Sequence, residues 1–255
     1  MRYQFVSLAF RLANGYWQHE ESRPDGGRDV AYMPAWSSWR DYYSGTTELL
    51  RGYAICDCVR EVDFQPDTTR KIIENRYFQM PNRPPLVYHT MFNDNGICHI
   101  KGRAFPELIS PYFDSDPEWC DTIPGLLGNL RRRYGPGLII YFNFGIHDGD
   151  KVKAARSLVQ FARYAPDTLI VWRQTTPDHS GTKSVHHDEP VFEVFRNASL
   201  SNIAVMRIWE TLEEEIKVRG KGSVFIDDLH VRPRINKLFS ERLGQIVEQH
   251  LERQP

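Results

Sequence analysis

Three short, unbroken apolar runs constrain the fold of this chain more than anything else in it. They are Leu138-Ile139-Ile140-Tyr141-Phe142, Leu169-Ile170-Val171-Trp172 and Ile203-Ala204-Val205-Met206. None alternates with polar residues, which suits strands of a parallel sheet covered on both faces. Helical spacing fills the gaps between them. A helix around Leu126, Leu127 and Leu130 leads through Gly135-Pro136-Gly137 into the first run, and Val152, Ala155, Val159 and Ala162 mark one face of a helix after it. A short helix near residues 190–196 precedes the third run, and Ile235, Leu238, Phe239, Leu243, Ile246 and Val247 mark a C-terminal helix. Strands alternating with helices predict an α/β fold, a three-layer sandwich with right-handed crossovers. Sites in such sheets form at the C-terminal strand ends, so Asn143 and the stretch 175–179 are expected on one rim.

The first half is less regular. Phe5, Leu8, Ala9 and Leu12 fall at helical spacing from the very start, and Gly15 is a stop signal. Residues 15–48 are rich in Gly, Pro, charge and aromatics, among them Trp36, Trp39 and Tyr42. Short strands are expected within 49–80, including Tyr53-Ala54-Ile55-Cys56, and Leu86-Val87-Tyr88-His89-Thr90 reads as another. The whole of 1–255 reads as a single domain with an irregular insertion at about 15–85.

The charge balance excludes some functions. With a net charge of −1 across 255 residues, nothing steers the chain globally toward nucleic acid or an anionic membrane. No apolar run reaches the roughly 18 residues a membrane span needs. Cys56, Cys58, Cys98 and Cys120 form either two disulfides in an oxidising compartment or four free thiols. Asn197-Ala198-Ser199 is a glycosylation sequon that leans toward a secretory route.

Several residues are equipped for chemistry. In Asp227-Asp228-Leu229-His230, one turn carries a carboxylate and an imidazole that it can orient as a general base. Asn143 follows the first buried strand, where its amide either donates to a developing oxyanion or caps the helix starting near Asp150. His179 follows the second strand on the same rim, either near substrate or as an ordinary loop histidine. His186-His187-Asp188 sits in a polar, lid-like loop, but adjacent histidines diverge and no metal site is expected there.

Taken together, these segments resemble the SGNH/GDSL hydrolase superfamily, and within it the PC-esterase branch that includes trichome-birefringence-like polysaccharide O-acetyltransferases. The opening Met1-Arg2-Tyr3-Gln4, with Ser7-Leu8 and Leu12, is similar to the second half of that branch's Gly-Asp-Ser-Leu-x-Arg-Asn-Gln block. Phe142-Asn143-Phe144-Gly145 resembles its Phe-Asn-Thr-Gly segment, Trp172 through His179 its strand ending in Ser-Pro-x-His, and Asp227 through His230 its Asp-x-x-His. The match spans the chain ends and residues from about 126 onward. Residues 15–125 match poorly, and the Cys-rich pattern around the family's last His is absent.

The resemblance implies a flavodoxin-like sheet with its first strand missing from this chain. It implies His230 as base, Asp227 as its orienter and Asn143 as oxyanion donor, with Arg2, His147 and His179 toward substrate. The family's glycine donor falls to Gly96 or Gly102. The nucleophilic Ser would lie two positions before Met1, and Ser7, about two turns into the helix, is a poor substitute. Two accounts follow: a start assigned to an internal methionine, or a truncated pseudoenzyme that binds glycan or protein. The activity implied is that of a carbohydrate O-acyl (acetyl) esterase or acyltransferase, inactive without the Ser, acting on acylated carbohydrate and needing no cofactor. Its compartment is the secretory pathway if an upstream leader exists and the cytoplasm otherwise.

Overall fold

The computed structural model describes residues 2–17, 45–46, 54–56, 75–78, 80, 86–89, 123–143, 150–177, 185–225 and 230–253, and each statement below concerns these. The chain divides into two compact units, Met1–Met91 with Ile100–Asp116, and Phe92–His99 with Pro117–Pro255.

In the first unit, α1 (Arg2–Asn14) buries Phe5, Val6, Ala9 and Phe10. Gly15 ends it as expected. Its N–H donates to the Arg11 carbonyl at 2.9 Å, with φ at 82°, a conformation glycine adopts without strain. Strands β1 (Ala54–Cys56), β2 (Asn75–Phe78) and β3 (Leu86–His89) form an antiparallel sheet in that order. Its register pairs Ala54 with Phe78 and Phe78 with Leu86. The Phe5 ring lies 5.7 Å from that of Tyr88, holding α1 against β3. The short strands expected around 53–56 and 86–90 are therefore present. The side chains of all four cysteines lie outside the described residues, as do Trp36, Trp39, Tyr42, Gly96 and Gly102.

The second unit is α/β. Strands β4 (Ile139–Phe142), β5 (Leu169–Arg173) and β6 (Ile203–Met206) run parallel in the order β4-β5-β6. Connecting them are α2 (Ile123–Tyr134) before β4, α3 (Lys151–Tyr164) before β5 and α4 (Glu189–Ala198) before β6. After β6 come α5 (Trp209–Arg219), the one-turn α6 (Lys221–Val224) and α7 (Pro233–Leu251). Of these, α5 has no counterpart in the sequence reading, because its short apolar stripe buries only Leu212 among polar neighbours.

All five residues of β5 are buried. Leu169 and Val171 pack with Met206, Leu212, Ile235 and Phe239, so one side of the strand meets α5 and α7. Trp172 faces away from that cluster, its ring 5.8 Å from Phe195 of α4. The expected apolar C-terminal stripe is present, since Ile235 and Phe239 are buried and Leu238, Leu243, Ile246 and Val247 pack beside them. One expectation needs correction. β4 is only half-buried, with Ile139 47% exposed. Among the described residues it is an edge strand, and an edge lacks the neighbouring row of side chains that would cover it. The expected face of α3 is inside at Ala155, Val159 and Ala162 and widens to Ala154, Leu158 and Phe161, while Val152 at its start is half-buried.

Two devices fix the strand starts. Asn202 Nδ2 donates to the carbonyls of Ala162 (3.0 Å), Ala165 (3.2 Å) and Thr168 (3.0 Å), satisfying the carbonyls left by the end of α3. Asp167 accepts from Arg131 Nη1 at 2.5 Å and from the Gly137 N–H at 3.2 Å. The Arg131 hydrogen bond holds the Asp167 carboxyl below its ordinary range.

Asn202→Ala removes the side-chain donor from those carbonyls, of which Ala165 keeps the Thr168 N–H, and is expected to cost about 2 kcal/mol, read as a lower urea midpoint at unchanged slope. Because the folded Asp167 pKa is depressed, its contribution is complete above the ordinary carboxylate range and is lost as pH falls through the depressed value. The stability gap between wild type and Asp167→Asn should therefore close as pH falls through and below the ordinary carboxylate range. A gap that stays constant across that range contradicts the assignment.

Candidate functional site

The C-terminal end of β5 turns most of its polar groups to a structural use; the Trp172 indole N–H and the Arg173 Nε are buried without a partner. The Gln174 N–H extends the ladder to the Met206 carbonyl at 3.0 Å. Its Oε1 accepts from the N–H groups of Ile208 and Trp209, both at 3.1 Å, two donors that the start of α5 leaves without helical partners. Thr175 donates its N–H to Asp188 Oδ2 at 2.5 Å, and its hydroxyl lies 3.2 Å from Oδ1. Lys151 Nζ donates to Asp188 Oδ1 at 3.0 Å and to Thr175 Oγ1 at 3.1 Å. Lys151 opens α3 and Asp188 precedes α4, so this buried cluster fastens both helix starts to the end of β5.

Of Trp172 and Arg173, the latter carries the charge. Its Nη2 donates to Thr176 Oγ1 at 2.8 Å, and its guanidinium stands 4.9 Å from the centre of the Phe239 ring on α7. Its Nε is buried without a partner. Burial pulls the Arg173 pKa down, opposed by Tyr141 and Asp188.

Asn143 sits one residue beyond β4 and donates Nδ2 to the Arg173 carbonyl at 2.8 Å. The register pairs Phe142 with Trp172 and Arg173 with Met206, so Asn143, Arg173 and Met206 form one row across the sheet end. An amide nitrogen carries two hydrogens. One fixes the orientation of Asn143, and the other has no partner among the described residues. Asn143 does not cap α3; Asp150 does, its Oδ1 accepting from the Lys153 N–H at 2.8 Å.

His230 is half-buried at the end of the segment 226–230. That segment is closed at its base by the antiparallel bridge Phe225↔Val231 and by the Arg232 N–H on the Val224 carbonyl at 2.9 Å. Phe225 and Val231 both belong to the core under α7, so the backbone beside His230 is anchored.

The remaining expected site residues are less accessible to description. Asp227, His147 and His179 lie outside the described residues. Arg2 is placed by its backbone in the first turn of α1, and its side chain is outside the description. Of the His186-His187-Asp188 group, His187 is exposed and Asp188 is a structural carboxylate held by Lys151 and Thr175. Among the described residues no three metal-ligating side chains cluster. No helix among them is long and apolar enough to cross a membrane.

The sequence reading gave no role to Arg173 or Lys151, and read Asp188 only as part of a lid-like loop. Their signals were violations of local preference: a cation ending an otherwise apolar strand, and a cation in the first turn of a helix, where the dipole disfavours it. No protein family's sequence profile matches the chain, and neither the curated proteins nor the solved structures hold a significant match to it.

Asp188→Asn is expected to destabilise the second unit by about 3–5 kcal/mol, because it strands a buried ammonium. Adding Lys151→Met should recover part of that loss, measured by urea unfolding. If the single substitution is neutral, the cluster does not fasten the rim.

Proposed function

We propose that this chain is most of a carbohydrate O-acyl esterase or acyltransferase of the SGNH type, in its PC-esterase branch, with acetyl as the group handled. The observation that carries the reading is Asn143. It stands at the C-terminal end of a parallel strand, oriented through one amide hydrogen by the Arg173 carbonyl, with the second hydrogen unspent. A carboxamide preset in this way suits an oxyanion that forms only as the carbonyl is attacked.

Two further features favour the reading. His230 follows the parallel strands and directly precedes the terminal helix, on a base closed by Phe225 and Val231. The sheet order β4-β5-β6 also fits the last three strands of a flavodoxin-like 2-1-3-4-5 order. In that order the open edge of β4 takes the strand that leads to the nucleophile, which suits a three-layer, single-domain sandwich. In this reading the serine and its strand lie outside the 255 residues.

The chemistry then runs as follows. The serine hydroxyl attacks the acyl carbonyl while His230 accepts its proton and Asp227 holds the imidazole. Asn143 donates to the tetrahedral oxyanion. His230 returns the proton to the departing alcohol, leaving an acyl-serine. Water or a sugar hydroxyl, deprotonated by His230, then attacks that ester, and the acyl–serine bond breaks as His230 returns the proton to the serine oxygen. Arg2, His147 and His179 contact the substrate, and no cofactor is needed. The 255 residues alone bind acylated carbohydrate without turning it over. Secretory compartments supply both the substrate and the oxidising conditions that two disulfides require.

The test uses the protein extended by the codons that precede Met1. A fluorophosphonate probe should label it, and it should release acetate from an acetylated oligosaccharide. His230→Ala should lower that rate by about 10⁶-fold, and Asn143→Ala by about 10²–10³-fold in kcat. An extended protein that takes no label and binds acylated oligosaccharide equally well with His230→Ala is a binding protein instead.

A further inference from the structure

Lys151, Asp188 and Arg173 are the charged side chains buried among the described residues. Two are cations and one is a carboxylate, and Asp188 is committed to Lys151 at 3.0 Å. Arg173 therefore stands in the interior with no carboxylate ion pair among the described residues. It is 4% exposed. Its Nη2 is spent on a neutral hydroxyl, and Nε meets no acceptor. Phe239 offers the guanidinium a ring face but no lone pair.

Burying a cation without its counter-charge is among the costlier things a core can do. An apolar residue ending β5 would pack against Phe239 at no such cost. The position also matters. Arg173 ends the middle strand, between Asn143 and Met206 in the row across the rim, where open α/β sheets bind their ligands.

We propose that Arg173 anchors an anionic group of the ligand, the carboxylate of an acidic sugar, at the rim beside Asn143. One uncompensated positive charge calls for one negative charge, which a carboxylate supplies. The Nε–H is unpaired, and the planar guanidinium matches a two-oxygen acceptor. The requirement for an anion rests on the guanidinium alone, whereas the sugar that carries it rests on the function proposed above.

The test is calorimetric binding to the full chain of a glucuronate-terminated disaccharide, of its methyl ester, which keeps the sugar and removes the charge, and of glucose 6-sulfate. Wild type should bind the acid about ten-fold or more tightly than the ester, as expected for a charge-assisted pair. Arg173→Gln should erase that preference and Arg173→Lys should keep part of it. If Arg173→Gln does not fold, the acid-to-ester ratio of wild type and Arg173→Lys decides. Equal binding of acid and ester overturns the proposal, as does an acid preference that survives Arg173→Gln. Binding of the sulfate without the glucuronate overturns the carboxylate assignment. None of these readouts needs ester cleavage. An extended protein that hydrolyses acetyl esters but shows no acid preference removes this proposal alone, and an acid preference without hydrolysis removes the acyl-transfer reading alone.

Discussion

Burial of β5 on both sides governs the rest of the parallel unit. Its five residues are all inside, with Leu169 and Val171 toward α5 and α7 and Trp172 toward α4. A strand covered in this way cannot release its last backbone and side-chain polar groups to water. They must be met by protein, and that need writes the structure of the rim. Gln174 meets the start of α5, Thr175 meets Asp188, and the Arg173 carbonyl meets Asn143. The loops leaving β5 and β4 thus inherit fixed starting points from a packing requirement several residues upstream.

The two ends of the sheet solve that requirement differently. At the N-terminal end, Arg131, Asp167 and Gly137 pair where side chains still reach water, and Asn202 closes three carbonyls. There the Arg131–Asp167 pair is complete, and the arrangement is structural. At the C-terminal end the Lys151–Asp188 pair is buried and complete, but Arg173 and the second amide hydrogen of Asn143 are left over. Unspent polar capacity concentrated at one end of a sheet separates a site from a scaffold.

Much of this was legible in the sequence because hydrophobic periodicity reports burial directly. The three apolar runs became β4, β5 and β6, and the stripe from Ile235 to Val247 became the buried face of α7. Gly15 ended α1. β4 went against expectation because an apolar run shows what a strand can bury, while its neighbours decide what it does bury. α5 escaped because its stability comes from tertiary packing of Leu212 and a cap supplied by Gln174, about 35 residues upstream. At the site, Asn143 stood out as a polar residue at a strand end. The Lys151–Asp188 link, 37 residues apart, and the isolation of Arg173 depend on three-dimensional proximity, which no local pattern encodes.

The most direct test of the account asks which end of the parallel sheet meets a ligand. Backbone amide chemical shifts of the labelled protein, followed during titration with an O-acetylated oligosaccharide, answer it. The account predicts that perturbations concentrate at Asn143, at residues 174–176 and at residues 230–232. Perturbations gathered instead around Gly137 and Asp167, or spread evenly over the helices, would contradict a site at the C-terminal rim.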